Sequence, residues 1–248
     1  MKKNLFLVCL FMFGTLASCQ CSSKKSADNA VVNTTETPVP LGDPFILLHD
    51  GVYYAYGTHS NKGIEFYTSD DLLTWKYGGL ALNKEDSWED RWFWAPEIYF
   101  VNGKFYMYYS ADEHICVAVA DSPTGPFVQD KKEPMIADEK CIDNSLFIDD
   151  NGTPYLSFVR FNDGNNIWIA ELEKDLITIK KETMHPCLHV TQEWEKVWPR
   201  VNEGSYILKH NGIYYMSYSA NSYESPFYGV GLSLIHISEP TRRRGISY

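Results

Sequence analysis

The sequence predicts an all-β fold, a β-propeller, and three observations support this. A glycine that closes a hairpin turn recurs along the chain, at intervals of 52, 49 and 60 residues. An aromatic-rich strand follows each of these glycines, and a short apolar strand precedes it. No helical pattern interrupts the units. A period near 50 residues with several short strands per unit is typical of propeller blades.

The turn sequences predict the first hairpin of each unit. Asp-Gly and Asn-Gly pairs are the strongest short-range signals of a hairpin, because both turn positions need positive φ. The turn glycines are Gly51, Gly103, Gly152 and Gly212. A second hairpin is predicted in three units, over residues 65–75, 115–127 and 166–179, which makes four strands per blade. A β-sandwich is the alternative, but it would not explain one repeated hairpin.

The N-terminus predicts an exported lipoprotein. Residues 1–19 have a basic start, a short apolar run and then Leu-Ala-Ser before Cys19, which resembles the lipobox of bacterial lipoproteins. A plain signal peptide is the alternative. We expect lipidation of Cys19 and anchoring to a membrane in the periplasm or at the cell surface. Residues 20–40 are polar and lack apolar periodicity, so they predict a disordered tether.

The C-terminus predicts an interrupted propeller. We assign residues 41–231 to the propeller domain, which amounts to roughly three and a half to four blades. Residues 232–248 contain no aromatic doublet and no turn, and they resemble translated adapter sequence. We therefore expect this tail to be non-native and the chain to be a fragment.

Charge and cysteines exclude several functions. Thirty-two acidic and 22 basic residues give a formal net charge of −10, so nucleic acid is a poor partner. After Cys9, Cys19 and Cys21 are set aside, the domain has Cys116, Cys141 and Cys187, without the spacing of a zinc site. At most one disulfide could form among these three.

Carboxylates recur at one point of the repeat. Asp43 and Ala95 lie eight residues before their turn glycines, whereas Asp143 and Glu203 lie nine before theirs. We expect longer turns in the third and fourth units to absorb the difference, so that all four positions open the first strand of a blade. First strands line the central channel of a propeller. Asp43, Asp143 and Glu203 are therefore predicted to meet at one channel mouth.

Converging carboxylates are what glycoside hydrolysis requires, because one must be protonated as acid while another is ionised. A further carboxylate raises the donor's pKa by like-charge repulsion. Glu203 has the longest reach and is the candidate acid, with Asp43 as base and Asp143 as pKa modulator. From spacing alone these roles could be permuted.

The ordered set of motifs resembles glycoside hydrolase family 43, the five-bladed propeller enzymes that act on arabinan, arabinoxylan and xylan. The matching segments are Gly42-Asp43-Pro44, Trp94-Ala95-Pro96-Glu97-Ile98-Tyr99, Cys141-Ile142-Asp143-Asn144-Ser145-Leu146-Phe147 and Asn202-Glu203-Gly204-Ser205-Tyr206. The resemblance implies an inverting mechanism, with Asp43 as general base, Asp143 as pKa modulator and Glu203 as general acid. Asn144 and Ser205 stand where family members usually have proline.

The resemblance also bears on ligands. It implies no cofactor for the chemistry, but a fifth-blade histidine in the channel linked to a bound cation, often calcium. No metal-binding residues are predicted in this chain. Trp94, beside the channel position of the second blade, is a candidate platform for sugar stacking, with core packing as an equal alternative.

The activity that follows is hydrolysis of plant cell-wall polysaccharide or its oligosaccharides, as an exo-acting α-L-arabinofuranosidase or β-xylosidase. Two alternatives stay open. One is an endo-arabinanase of the same family, and the other is a non-catalytic glycan-binding propeller lipoprotein. The complete carboxylate set argues against the second, because a binding protein has no need of a protonated acid.

Overall fold

The computed structural model describes residues 39–197 and 199–237, which form four antiparallel sheets. The first contains β1 (Gly42–His49), β2 (Val52–Thr58), β3 (Gly63–Ser69) and β4 (Lys76–Asn83). The second contains β5 (Trp94–Val101), β6 (Lys104–Ala111) and β7 (His114–Ala120). The third contains β8 (Cys141–Ile148), β9 (Pro154–Phe161), β10 (Asn165–Glu171) and β11 (His185–Leu188). The fourth contains β12 (Asn202–His210), β13 (Ile213–Ala220) and β14 (Gly229–Ile235).

The repeated hairpins form as predicted. Asn102 and Gly103 have φ values of 50° and 80°, and the turns at residues 50–51 and 211–212 have the same pair of positive angles. These are the angles that suit the twist of paired strands, and the Asn-Gly and Asp-Gly pairs adopt them at little cost. The third sheet has a longer loop in place of this two-residue turn, over residues 149–153 between Ile148 and Pro154.

The second hairpins are less regular than predicted. In the first sheet β3 and β4 pair over their length. In the second sheet the expected fourth strand is reduced to one bridge between Val119 and Val128. In the third sheet β11 begins at His185, beyond the predicted range. The outer strands carry few core residues, so the sequence signal for them is weak.

The core is divided into three layers, one between each pair of successive sheets. Tyr56, Met107 and Tyr109 lie in the first layer, and Tyr108 and Phe158 lie in the second. A third cluster of buried residues forms the last layer. The first strands adjoin one another in sequence order, β1 with β5, β5 with β8 and β8 with β12. This arrangement surrounds a central channel, as in a propeller. The predicted all-β propeller class is confirmed.

The outer faces of the first and fourth sheets lack such a layer among the described residues. Ile46 and Leu48 are 50% and 57% exposed, and Leu232 and Leu234 are 69% and 68% exposed. β14 continues to Ile235, so the predicted boundary at residue 231 falls within a strand. Whether the tail is native stays a prediction.

Several other predictions concern residues outside the described part. Cys19, the signal and most of the tether lie there, so lipidation and export stay predictions. Within residues 39–197 and 199–237, the three 3₁₀ turns (Lys84–Asp86, Lys181–Thr183 and Glu193–Glu195) are far too short to cross a bilayer, and no helix meets that requirement. Cys116, Cys141 and Cys187 are all free thiols.

Candidate active site

Each first strand contains one β-bulge near its start. The pairing register breaks between Gly42 and Phe45, and at the corresponding places in β5, β8 and β12. One residue in each bulge is left-handed, and these are Asp43 (φ 44°), Ala95 (φ 43°), Asp143 (φ 53°) and Gly204 (φ 57°). Aspartate tolerates this conformation better than most residues. A bulge redirects side chains, and here it turns them toward the channel mouth.

Glu203 does not occupy the position that the repeat predicted. The turn of the fourth sheet is a two-residue turn, since His210 pairs directly with Ile213. The extra residue therefore lies in the strand, and Gly204, not Glu203, is the counterpart of Asp43 and Asp143. Glu203 is paired with Ser219 and precedes the bulge. The predicted longer turn is correct for the third sheet only.

The structure nevertheless brings the three predicted carboxylates together. Asp43, Asp143 and Glu203 line one cavity of about 200 Å³ at the channel mouth. A fourth carboxylate, Glu97, lines it as well, beside Asn144, Ser205 and Tyr228. Among the described residues, none that lines this cavity is Lys, Arg or His. The four carboxyl groups therefore share the cavity without a compensating cation.

Asp43 is the most exposed of the acids and has one fixed oxygen. The Thr58 hydroxyl donates to its Oδ2 at 2.7 Å, while the backbone N–H of Ala95 donates to Thr58 Oγ1 at 3.0 Å. Thr58 thus links the bulges of the first two sheets. Asp43 is held in one orientation and still faces solvent, which suits a group that contacts water.

Asp143 is strongly perturbed. Its backbone N–H donates to Ser110 Oγ at 3.2 Å, which joins the third sheet to the second. Burial, together with the charges of Glu203 and then Asp43, raises the pKa of Asp143 to about 8. At neutral pH this carboxyl therefore holds a proton or shares one with its neighbours.

Burial also raises the pKa of Glu203, with a smaller contribution from the charge of Asp43. The Asn165 amide donates to Glu203 Oε2 at 3.4 Å and opposes this rise. The sequence predicted that like-charge repulsion from Asp143 would be the cause. In the structure the leading cause is burial. The sequence did not predict this, because residue spacing carries no information on how deep a side chain lies.

Two titratable residues of the cavity had no predicted role. Glu97 belongs to the Trp-Ala-Pro-Glu motif, so its signal was present in the sequence. Tyr228 ends the loop before β14 and lines the cavity, and its pKa is raised by burial and by the charges of the three predicted acids. Tyr223, in the same loop, is 77% exposed and lies outside the cavity lining.

Trp94 does not line the cavity. Its ring stacks on Trp92, with centroids 5.8 Å apart and an interplanar angle of 8°, and it packs against the third core layer. Trp92 is 46% exposed. Trp94 therefore makes packing contacts, and its role as a platform for sugar stacking stays a prediction.

The calcium implied by the family resemblance stays a prediction. Within residues 39–197 and 199–237, no group of three or more His, Cys, Asp or Glu side chains is arranged to hold a metal ion. The four acids of the cavity do not converge in that way.

Comparison with known proteins agrees with this geometry. Residues 35–242 match the family described as Glycosyl hydrolases family 43. The chain is 29% identical to xylosidase/arabinosidase 43A of Humicola insolens, over 74% of this chain and 73% of that protein.

Two solved structures from Bacteroides thetaiotaomicron have the same fold. An endo-1,4-beta-xylanase superposes with a TM-score of 0.76 at 50% identity, covering 79% of this chain and 68% of that one. An endo-arabinase superposes with a TM-score of 0.67 at 28% identity, covering 78% and 75%. With its family match, its glycosidase relatives and its propeller sheets, this chain belongs to glycosyl hydrolase family 43 and is a glycosidase.

Proposed function

We propose that the protein hydrolyses arabinose- or xylose-containing glycans as an exo-acting α-L-arabinofuranosidase or β-xylosidase, by an inverting acid/base mechanism. The observation that carries this proposal is the meeting of Asp43, Asp143 and Glu203 in one cavity. Inversion needs an ionised base and a protonated acid on opposite sides of the scissile bond. Asp43 is exposed to solvent, whereas burial raises the pKa of Glu203.

Asp43 is the proposed base. Thr58 occupies its Oδ2, which leaves Oδ1 to accept a proton from the attacking water. Its exposure gives water access to the carboxylate. The proton moves from water to Asp43 as the water oxygen bonds to the anomeric carbon.

Glu203 is the proposed acid. Burial raises its pKa, so a fraction of the protein holds the proton that the leaving oxygen must receive. The Asn165 amide contacts Oε2, which leaves Oε1 to donate. Asp143, whose pKa is about 8, is the proposed modulator, because the charges of Asp143 and Glu203 oppose simultaneous ionisation.

A second candidate is endo-acting hydrolysis within a xylan or arabinan chain. It is favoured by the solved relative at 50% identity, whose title is endo-1,4-beta-xylanase. Exo and endo enzymes share the same acids and differ in whether the cavity continues as a groove. A non-catalytic binding protein is less consistent with four acids in a cavity that no described cation lines.

The test is turnover of the full chain on aryl β-xyloside, aryl α-L-arabinofuranoside, xylan and arabinan. We expect Glu203→Gln and Asp43→Asn to lower kcat/KM by roughly 10²–10⁴-fold. Exposed Glu193→Gln, whose side chain is 91% exposed, is the matched control. Turnover that survives both active-site substitutions would contradict the mechanism.

Two further readouts separate its parts. Anomeric proton NMR of the first product should show the inverted configuration, and retention would exclude Asp43 as base. The Glu203→Gln variant should recover most on substrates with good leaving groups, which need no protonation. Products longer than one sugar from polymeric substrate would favour the endo-acting candidate.

A further inference from the structure

The second sheet supplies a carboxylate by a different route from its neighbours. Its left-handed bulge residue is Ala95, which carries no charge, but Glu97 follows two residues later and lines the same cavity. Glu97 resumes the pairing of β5 after the bulge, opposite Tyr108. Each of the four first strands thus contributes one acid to the channel mouth.

Glu97 is held by contacts that reach the strand of Asp143. The Tyr99 hydroxyl donates to Glu97 Oε2 and lies 3.4 Å from Ser145 Oγ. Ser145 is two residues beyond Asp143 on β8. Tyr99 is itself fixed by ring contacts with Phe45 at 5.7 Å and Tyr108 at 5.9 Å. Tyr99 therefore holds one oxygen of Glu97 and connects it to β8 of the third sheet.

The charges around Glu97 are of one sign. Asp143 on β8, Asp43 on β1 and Glu203 on β12 share its cavity, as does the Tyr228 phenol. Burial raises the pKa of Glu97 to about 7, and hydrogen bonds from Tyr99 and Ser145 oppose the rise. The charge of Glu97 in turn adds to the raised pKa of Asp143, after burial and the charges of Glu203 and Asp43.

We propose that Glu97 is a positioning residue that, through its charge and its hydrogen bond with Tyr99, keeps Asp143 in its protonated form for hydrolysis. This inference rests on the proposed function. Glu97 does not donate or accept the proton of the reaction. As pH rises Glu97 ionises, and its negative charge disfavours loss of the proton on Asp143. The alkaline limit of activity therefore lies higher than it would without Glu97.

The test is the pH profile of kcat/KM for Glu97→Gln. We expect its alkaline limb to move about 0.5–1 pH unit lower, the effect of losing one nearby like charge. At a pH on that limb kcat/KM should fall about three- to tenfold. Glu97→Asp keeps the charge but shortens the reach to Tyr99, so its alkaline limb should move less than that of Glu97→Gln. Glu193→Gln should leave the profile unchanged.

The outcomes are distinct. An active wild type with a Glu97→Gln profile that superimposes on it, or is lowered uniformly without a shift, would overturn this inference alone. Absence of wild-type turnover would overturn the proposed function. Carboxyl ¹³C NMR then measures the titration of Asp143 and Glu203 directly, and an unchanged titration in Glu97→Gln would still refute the role of Glu97.

A second variant covers failure to fold. Tyr99→Phe removes the donor that favours ionised Glu97, so Glu97 stays neutral to higher pH. The alkaline limb should move in the same direction as in Glu97→Gln, by a smaller amount. A limb that stays in place, or moves upward, in a folded Tyr99→Phe variant would contradict the coupling between Tyr99, Glu97 and Asp143.

Discussion

The third and fourth sheets place an acid at the channel mouth in two different ways. Asp143 sits on the left-handed residue of its bulge, whereas Glu203 precedes a bulge whose left-handed residue is Gly204. The short aspartate side chain reaches the cavity because the bulge turns it there. The longer glutamate reaches it from an ordinary paired position. The two acids therefore reach the same cavity by different combinations of backbone position and side-chain length.

The largest expected effect comes from erasing this difference. The double substitution Glu203→Gly with Gly204→Asp copies the Gly42-Asp43 pair of the first sheet, so the fourth sheet should accept it. The shorter acid then points from the bulge and no longer reaches as Glu203 does. We expect kcat/KM to fall by roughly 10²–10⁴-fold. Activity near wild type in a folded double variant would show that the position of this acid relative to the bulge is unimportant.

A smaller effect should follow from the burial of Asp143. Its pKa is raised from 3.8 to about 8, so the folded state is fully favoured below pH 4 and loses stability as pH rises through 8. Asp143→Asn cannot ionise. We expect it to be more stable than wild type at pH 9, by about 1–2 kcal/mol because the cavity admits water, with the difference developing from pH 4 to 8.

Thermal unfolding at pH 4 and pH 9 measures this difference. Asp121→Asn, at a side chain that is 82% exposed, is the matched control and should show little change between the two pH values. A Tm difference between Asp143→Asn and wild type that is the same at both pH values would mean that Asp143 stays ionised throughout.

The smallest effect should come from Gly204. Its φ is 57°, and an added Cβ would meet only Ser219 Oγ, at 3.7 Å. Space is therefore available, and Gly204→Ala should cost about 1 kcal/mol through backbone conformation alone. Gly42→Ala is the control, since Gly42 lacks a positive φ and its Cβ would make ordinary contacts at 3.5 Å. Equal unfolding free energies for the two variants would refute a left-handed bulge at Gly204.

The acids that line the cavity divide into those that the repeat revealed and one that it did not. Asp43 and Asp143 were found by counting from turn glycines, because hairpin geometry fixes the distance from turn to bulge. The same count found Glu203, but it attributed the extra residue before Gly212 to a longer turn, whereas that residue lies in the strand. Glu97 was overlooked, since its importance depends on Tyr99 and on β8, more than 40 residues away along the chain.

The sequence by itself determined the propeller class, the first hairpin of each sheet and three of the acids that line the cavity. These follow from local rules, because Asn-Gly turns and alternating aromatic strands act over a few residues. Only the tertiary structure decided that Glu203 precedes its bulge, that burial raises its pKa, and that Trp94 packs into a core layer. Depth and electrostatic coupling depend on which strands meet at the channel, and that is a property of the packed sheets.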